Sequence, residues 1–422
     1  MAREALWLAL GLVPVLAIAF VVFHLIRSHL LERYLVPSSS MEPTLYGDQI
    51  DGDIVLVDKT AFWGSLPRRW DLVVLRNPGD AEHTHLVKRV VAMAGELVKL
   101  EHGDVYLAAG AGELQRLRKP LDVARRMRQT WFAFPTADAA DVARALKSAA
   151  AWTSSGDQLL LAPAAPTLAA LQELLGEDQQ RRRRTGQSHT LSLYVPGHLS
   201  TVEPVTATFV DSRGKLHIDP TPVRDVGMEV ELAPEAGCAG LQLVLEYRDD
   251  DFAFVYAPTG EVRLTLMGNA AEPIATGRRG PPLRPGVAVG LTFGYLDGRF
   301  FFAADGATLL EHDVELPAGV AAERYPGVRV ENLLQIGAAG APLHITRLRV
   351  FHDVHYDSLQ SPSGHGPPPY LVPEASLWLL GDNSRFSRDS RDPQIGAYPI
   401  ADLVGRPVAV IGPWARMRWL GR

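Results

Sequence analysis

The order of apolar and polar positions divides the chain into stretches of different period. Ala5 to Ile26 is apolar at every position except His24. As a helix this run of 22 residues rises about 33 Å, enough to cross a hydrocarbon core of about 30 Å. It exceeds the h-region of a secretion signal and no small-x-small cleavage site follows it, so a retained membrane helix is expected. Arg3 and the amino terminus lie on one side of it, Arg27 and Arg33 on the other, so charge bias alone leaves its topology open.

From Gln49 to Leu100 the pattern shortens to β-like runs at Asp53–Val57, Asp71–Leu75 and Leu86–Val91, separated by turn formers such as Asn77-Pro-Gly79. Glu96 to Leu107 alternates about His102-Gly-Asp104 and predicts a hairpin. Residues 108–200 are Ala- and Arg-rich, with helical patches at Leu121–Met127 and Thr167–Leu175, and read as a linker. Its run Arg181–Arg184 is read as a solvated face.

Between Thr201 and Tyr356 short strands recur at close spacing: Met228–Leu232, Leu241–Tyr247, Phe252–Tyr256, Val262–Leu266, Val287–Phe293, Arg299–Ala303 and Ile345–Phe351. Asp297-Gly298 and Asp305-Gly306 stand where hairpin turns are needed, and such spacing predicts a β-sandwich. The stretch Gly290 to Gly306 resembles the laminin-G/concanavalin-like sandwiches. After the Pro-rich segment Ser361–Pro373, the β-like run Ser376–Leu380 resumes the earlier pattern. The expected fold class is mainly β: a membrane anchor over 1–33, an all-β domain split between 34–107 and 358–422, an α-containing linker over 108–200 and a sandwich over 201–357.

Composition narrows the chemistry. With 47% apolar residues, 21% charged residues and a formal net charge of -6, nothing points to nucleic acid. Cys238 is the single cysteine, which excludes an intrachain disulfide and a cysteine-based metal site. Lysine is rare: Lys59, Lys88, Lys99, Lys119, Lys147 and Lys215 are all there are, so a lysine among valines draws notice. Lys88 sits in Leu86-Val-Lys-Arg-Val-Val-Ala-Met-Ala94. A serine hydroxyl can pass its proton to a lysine only where the surroundings keep that lysine neutral, and an apolar strand is such a place. A fall of about three units from the free value costs the charged form about 4 kcal/mol, within reach of desolvation. Taken singly, the serine triplet Ser38-Ser-Ser40 would serve as a cap or turn, and Lys88 could reach solvent from its strand.

Three motifs stand in order: Pro37-Ser-Ser-Ser-Met-Glu-Pro-Thr-Leu45, the Lys88 strand, and Gly381-Asp-Asn-Ser-Arg-Phe-Ser-Arg-Asp-Ser-Arg391. Together, over roughly residues 5–107 and 370–422, they resemble the bacterial type I signal peptidases, membrane-anchored Ser/Lys endopeptidases. The resemblance implies Ser40 as nucleophile and Lys88 as general base, with the Ser38 hydroxyl and the Ser40 backbone N–H as oxyanion hole. It makes Ser387 the residue that orients the lysine amine, and Asp389 and Arg391 a supporting ion pair with Arg89 nearby. Asp382 and Asn383 match the turn that shapes this loop, and Val36, Met41, Leu45 and Leu86 are the candidates for a pocket taking small residues. It implies removal of signal peptides from preproteins near the translocation machinery, at the lipid bilayer of the bacterial inner membrane, by a single-pass protein with its catalytic domain on the extracytoplasmic side. No cofactor, metal or nucleic acid is expected, and the sandwich is left with a possible unknown ligand.

The chain departs from the family in three places: Ser384-Arg-Phe386 replaces the usual Arg-Asp-Asn, Leu86 stands where an aromatic is common, and the insert of about 260 residues after the lysine hairpin is far larger than the usual excursion there. A membrane-tethered glycan-binding protein on a degenerate peptidase scaffold, or a maturation protease for one partner, are the other readings. Ser212-Arg-Gly-Lys215 lacks the companion motifs of penicillin-binding enzymes, and His83-Thr-His85 lacks a third ligand at metal spacing.

Overall fold

The computed structural model describes residues 13–21, 29–77, 84–101, 103–110, 112–135, 146–147, 152–155, 157–185, 198–201, 205–211, 214, 216–219, 221, 223–247, 250–266, 272–314, 333–356 and 368–421. His83, His102, Ser212, Lys215, Gly79 and the first part of the Pro-rich segment lie outside them, as do residues 1–12 and 22–28 of the N-terminal region. Residues 13–21 are helical and leave Val13, Leu16, Ile18 and Phe20 exposed. Among the described residues no helix is long and apolar enough to cross a membrane, so the expected spanning helix is described only in its middle.

The chain folds as two compact units. The first comprises residues 1–101, 105–115 and 356–422, and the second residues 102–104 and 116–355. In the first unit one antiparallel sheet runs, in spatial order, Leu31–Leu35, Ile54–Asp58, Leu403–Gly412, Leu72–Arg76, His85–Met93, Ser376–Leu380 and Tyr398–Pro399. The strand Leu403–Gly412 pairs with Leu72–Arg76 through its first residues and with Ile54–Asp58 through the rest, with register shifts on both sides. Such irregularities bend a strand and let one sheet serve two cores. Alternation then sends Leu72 and Val74 into a cluster with Val36, Met41, Leu45, Val55 and Val57, and Val73 and Leu75 into another with Val90, Leu377 and Leu379. A smaller sheet forms from Glu96–Glu101, Asp104–Ala109 and Tyr370–Leu371.

The second unit is a two-sheet sandwich. One sheet carries Gln129–Phe134, Leu343–His352, Val226–Pro234, Val289–Leu296, Arg299–Ala304 and Ala307–Asp313 in that order. The other carries Val262–Leu266, Asp250–Tyr256, Gly240–Tyr247 and Leu334–Ala339. Their inner faces share one core, in which Phe254 lies 5.6 Å from Phe302 and 6.0 Å from Phe293, ring centre to ring centre. Asp297 and Asp305 take φ of 49° and 46° and are followed by Gly298 at 80° and Gly306 at 79°, the left-handed pair a tight two-residue hairpin needs.

The stretch expected as a linker is built into this sandwich. Leu121–Met127 and Leu168–Thr185 are helical, but Gln129–Phe134 and Gln158–Leu161 both pair with Leu343–His352. Phe132, Phe134, Leu159 and Leu161 enter the core at every second position of their strands, so a period of two outweighed the Ala- and Arg-rich composition.

Candidate active site

All of the motif residues lie in the first unit. After the strand Leu31–Leu35, Ser39–Met41 makes a single 3-10 turn, drawn inward by the fully buried side chains of Met41 and Leu45. Two glycines brace it from behind. A Cβ on Gly47 would lie 1.7 Å from the Ser38 carbonyl oxygen and one on Gly52 would lie 2.2 Å from that of Val36, so only glycine permits these approaches. The turn leaves Ser38 exposed and Ser40 half-buried, with the Ser38 hydroxyl donating to Ser40 Oγ over 3.3 Å.

Lys88 lies on the strand His85–Met93, opposite Val73 on one neighbour and one residue before Arg89, which pairs with Leu380 on the other. Alternation sends the two basic side chains to opposite faces. Lys88 is 2% exposed, and its ammonium donates to Ser387 Oγ at 2.9 Å. Burial pushes its pKa down to about 8, the Asp389 carboxylate pulls it back up and Arg391 opposes that pull. Among the described residues Lys88 makes no hydrogen bond to Ser40.

Arg89 grips Asp382 in a two-pronged fork, Nε to Oδ1 at 2.7 Å and Nη2 to Oδ2 at 2.5 Å, and its third nitrogen donates to the Trp70 carbonyl at 2.7 Å. Thr44 Oγ1 donates to Asp382 as well, tying the serine segment to a residue 338 positions away. From the next position Asn383 completes the clamp: its backbone N–H donates to the Ser40 carbonyl at 3.1 Å, and its side-chain amide to the Ser39 carbonyl at 3.0 Å. Gly381 fills the space between the two serines. A Cβ there would meet Ser387 Oγ at 2.2 Å and the Ser40 carbonyl oxygen at 2.4 Å.

Asp389 is fully buried and accepts from Gly381 N at 3.0 Å and from the Arg391 guanidinium at 2.8 and 3.0 Å. Arg391 in turn donates to Ser384 Oγ and to the Ser384 carbonyl, both at 2.6 Å, and to the Ser387 carbonyl at 3.2 Å. The departure at Ser384-Arg-Phe386 is thus accommodated: Ser384 is knitted into the loop while Arg385 and Phe386 face outward. Val36, Met41 and Leu45 are buried in one apolar cluster, and half-buried Leu86 packs on the other.

Three contributors were not singled out from the sequence. Thr44 and Gly381 lie inside quoted motifs, and Ser384 lies at a departure from one. The signal available was polarity or smallness beside a turn, which does not distinguish a clamp from a solvated loop. Among the described residues, the group with metal-ligand proximity is Asp104, Asp225 and Asp297 in the second unit, with carboxylate oxygens within 4.8 Å of one another. It carries its own counterions. Lys119 Nζ reaches Asp297 at 2.8 Å and Asp353 at 2.7 Å, and Arg116 reaches Asp104 at 2.8 Å.

Residues 9–145 match the family described as signal peptidase, peptidase S26. Signal peptidase I of Bacillus licheniformis is 36% identical over 95 residues, covering 22% of this chain and 48% of that protein. Probable signal peptidase I-2 of Synechocystis sp. is 36% identical over 109 residues, 25% of this chain and 47% of that protein. Signal peptidase I T of Bacillus subtilis is 36% identical over 92 residues, 22% and 45% of the two chains. The chain therefore spans about half the length of the curated relatives it matches. Among solved structures, the galectin LEC-6 of Caenorhabditis elegans is similar at 18% identity and a TM-score of 0.23, covering 31% of this chain and 84% of that one. The carbohydrate-binding module CBM66 of Bacillus subtilis is similar at 12% identity and a TM-score of 0.23, covering 35% and 82%. Scores this low carry no argument about the sandwich.

Proposed function

We propose that the chain is a type I signal peptidase: a membrane-anchored serine endopeptidase that cuts signal peptides from exported preproteins after small residues, with Ser40 as nucleophile and Lys88 as general base. The observation that carries this reading is the buried Lys88 amine, held on Ser387 with its pKa near 8, in a network whose next turn clamps the Ser40 backbone. With that pKa about a tenth of the lysine is neutral at pH 7 and half at pH 8, so a base is available near neutrality with no histidine in the site.

In the proposed reaction a preprotein segment enters beside Ser40, displaces water and completes the desolvation of Lys88. The Ser40 oxygen attacks the scissile carbonyl as its proton passes to the Lys88 amine. Negative charge on the tetrahedral intermediate is met by the Ser40 backbone N–H and the Ser38 hydroxyl, each such donor being worth about 3 kcal/mol. Lys88 then gives its proton to the departing amine, and water activated by the same amine hydrolyses the acyl-enzyme. Ser387 holds the amine in place throughout. Asp389 is structural: ionised and unpaired it would raise the lysine pKa, but the Arg391 fork offsets that charge. Anchoring at the extracytoplasmic face of a bacterial inner membrane is supported by the apolar run Ala5–Ile26 and by Trp414 and Trp419, 88% and 81% exposed, residues suited to a bilayer interface.

The test is incubation of the detergent-solubilised chain with a preprotein carrying an Ala-x-Ala site. Wild type should release the mature protein, and a folded Ser40→Ala variant should release none. Cleavage retained by that variant would assign the nucleophile elsewhere.

A further inference from the structure

Thr44, four residues past Ser40, is gripped at both of its polar ends. Its hydroxyl donates to Asp382, and its carbonyl accepts from Arg418 Nη2 at 2.7 Å, across 374 positions of sequence. Arg418 belongs to none of the three motifs. It lies on the short strand Arg418–Trp419, which pairs with the strand Leu403–Gly412 through Ala409 and Val410. The same nitrogen of Arg418 also donates to Asp53 Oδ2 at 3.1 Å.

Asp53 turns this contact into a joint. Its carboxylate is fully buried, and besides Arg418 it accepts from Arg416 Nε at 2.7 Å and from the Tyr46 backbone N–H at 3.0 Å. Arg416 also donates to the Asp51 carbonyl and lies over the Tyr46 ring, its guanidinium carbon 4.5 Å from the ring centre. Asp53 N donates back to the Tyr46 carbonyl at 2.8 Å. A buried carboxylate needs such partners, and both guanidiniums that serve this one come from a single short segment.

The joint reaches the nucleophile through a few bonds. Leu45 N donates to the Met41 carbonyl at 2.9 Å and Glu42 N to the Ser39 carbonyl at 3.1 Å, which ties the turn that carries Ser40 to the residues around Thr44. Asp382 and Asn383 hold the Thr44 hydroxyl and the Ser39 and Ser40 carbonyls, and Arg418 holds the Thr44 carbonyl.

We propose that Arg418 is a positioning residue for the nucleophile: by holding the Thr44 carbonyl and the Asp53 carboxylate together it fixes where Ser40 Oγ stands for attack. The inference rests on the proposed function in needing Ser40 chemistry, and adds to it a residue outside the motifs. Nη2 carries two hydrogens, one for each acceptor, in a planar group that fixes the angle between them. A misplacement of about 1 Å in a reacting group can cost about a hundredfold in rate. Asp382 still holds the Thr44 hydroxyl once Arg418 is gone, so a smaller loss, about tenfold, is expected.

The experiment is steady-state cleavage of the Ala-x-Ala preprotein by the full chain and by Arg418→Gln, Arg418→Lys and Arg284→Gln, with melting followed by tryptophan fluorescence. Arg284 is an exposed arginine of the second unit, and its variant should match wild type. Arg418→Gln should lose about tenfold in kcat with KM unchanged, and should keep the bend of its pH profile near pH 8 because Lys88 is untouched. Arg418→Lys, which keeps the charge without the planar fork, should recover part of the loss. The Arg418 side chain is 40% exposed and Asp53 retains Arg416 and the Tyr46 N–H, so the melting temperature should move little. The loss should persist well below the melting transition, where an enzyme slowed only by partial unfolding would regain its rate. Full kcat in Arg418→Gln, a loss confined to KM, a bend moved toward the ordinary lysine value, or a loss that vanishes in the cold would overturn this inference alone. A wild-type chain that leaves the preprotein uncut would overturn the proposed function and the inference with it.

Discussion

Replacing Lys88 with methionine should abolish activity and yet stabilise the first unit. The wild-type amine is buried with its pKa near 8 against an ordinary 10.5. Below pH 8 it is protonated in both folded and unfolded chains, and folding bears the cost of desolvating the ammonium, about 3 kcal/mol for a shift of this size. Between pH 8 and 10.5 the folded amine is already neutral while the unfolded chain sheds its proton, so the cost falls away and wild-type stability rises through that window. Methionine fills a similar volume without the charge, but it leaves the buried Ser387 hydroxyl without its donor, a loss of about 1–2 kcal/mol. The net expectation is a gain of about 2 kcal/mol at pH 7, which raises the melting temperature by roughly 4–8 °C in a unit of this size. Tryptophan fluorescence suits the measurement. Trp7, Trp63, Trp70, Trp378, Trp414 and Trp419 lie in the first unit, and only Trp131 and Trp152 in the second. Unfolding should be followed at pH 7 and pH 10, with the variant's advantage shrinking at the higher pH. A Lys88→Met variant less stable than wild type at pH 7, or an advantage that does not change with pH, would refute the reasoning that burial of a charge sets this pKa.

Two further substitutions probe the clamp. Gly381→Ala should displace Ser387 and the Ser40 backbone together, costing about 1–3 kcal/mol and lowering kcat far more than it raises KM; normal kcat would mean that the two serines need not be held at that spacing. Asp382→Asn should leave the buried Arg89 without its carboxylate and destabilise the first unit by about 3–5 kcal/mol in denaturant titration; a change under 1 kcal/mol would show that Arg89 finds another acceptor.

Local pattern made much of this fold legible. Val262–Leu266, Leu121–Met127 and Ser376–Leu380 form where alternation, helical spacing or a short apolar run marks them. Long-range pairing was not legible in the same way. The strand Leu403–Gly412 organises the first sheet by joining two strands on either side of it, yet its own sequence carries Arg406, Pro407 and Gly405 and no clean alternation. The strands at 129–134 and 158–161 were hidden by composition, since their partner lies about 200 residues later. The motifs name Ser40, Lys88 and Ser387 as chemistry, but the 2.9 Å contact between residues 299 positions apart belongs to the fold. Thr44 shows the limit most plainly. It looks like a turn residue until Asp382 is folded against it.

The central claim is that a buried lysine, neutral near physiological pH, takes the Ser40 proton. It is tested most directly by kcat/KM for a signal-peptide substrate as a function of pH, in wild type and in Lys88→Arg. The account predicts a tenfold rise per pH unit at low pH, a bend near pH 8 and a plateau above it, with the arginine variant inactive because guanidinium stays protonated. A profile already flat from about pH 6 upward, below any value a buried lysine of this kind would hold, or an active Lys88→Arg enzyme, would contradict it.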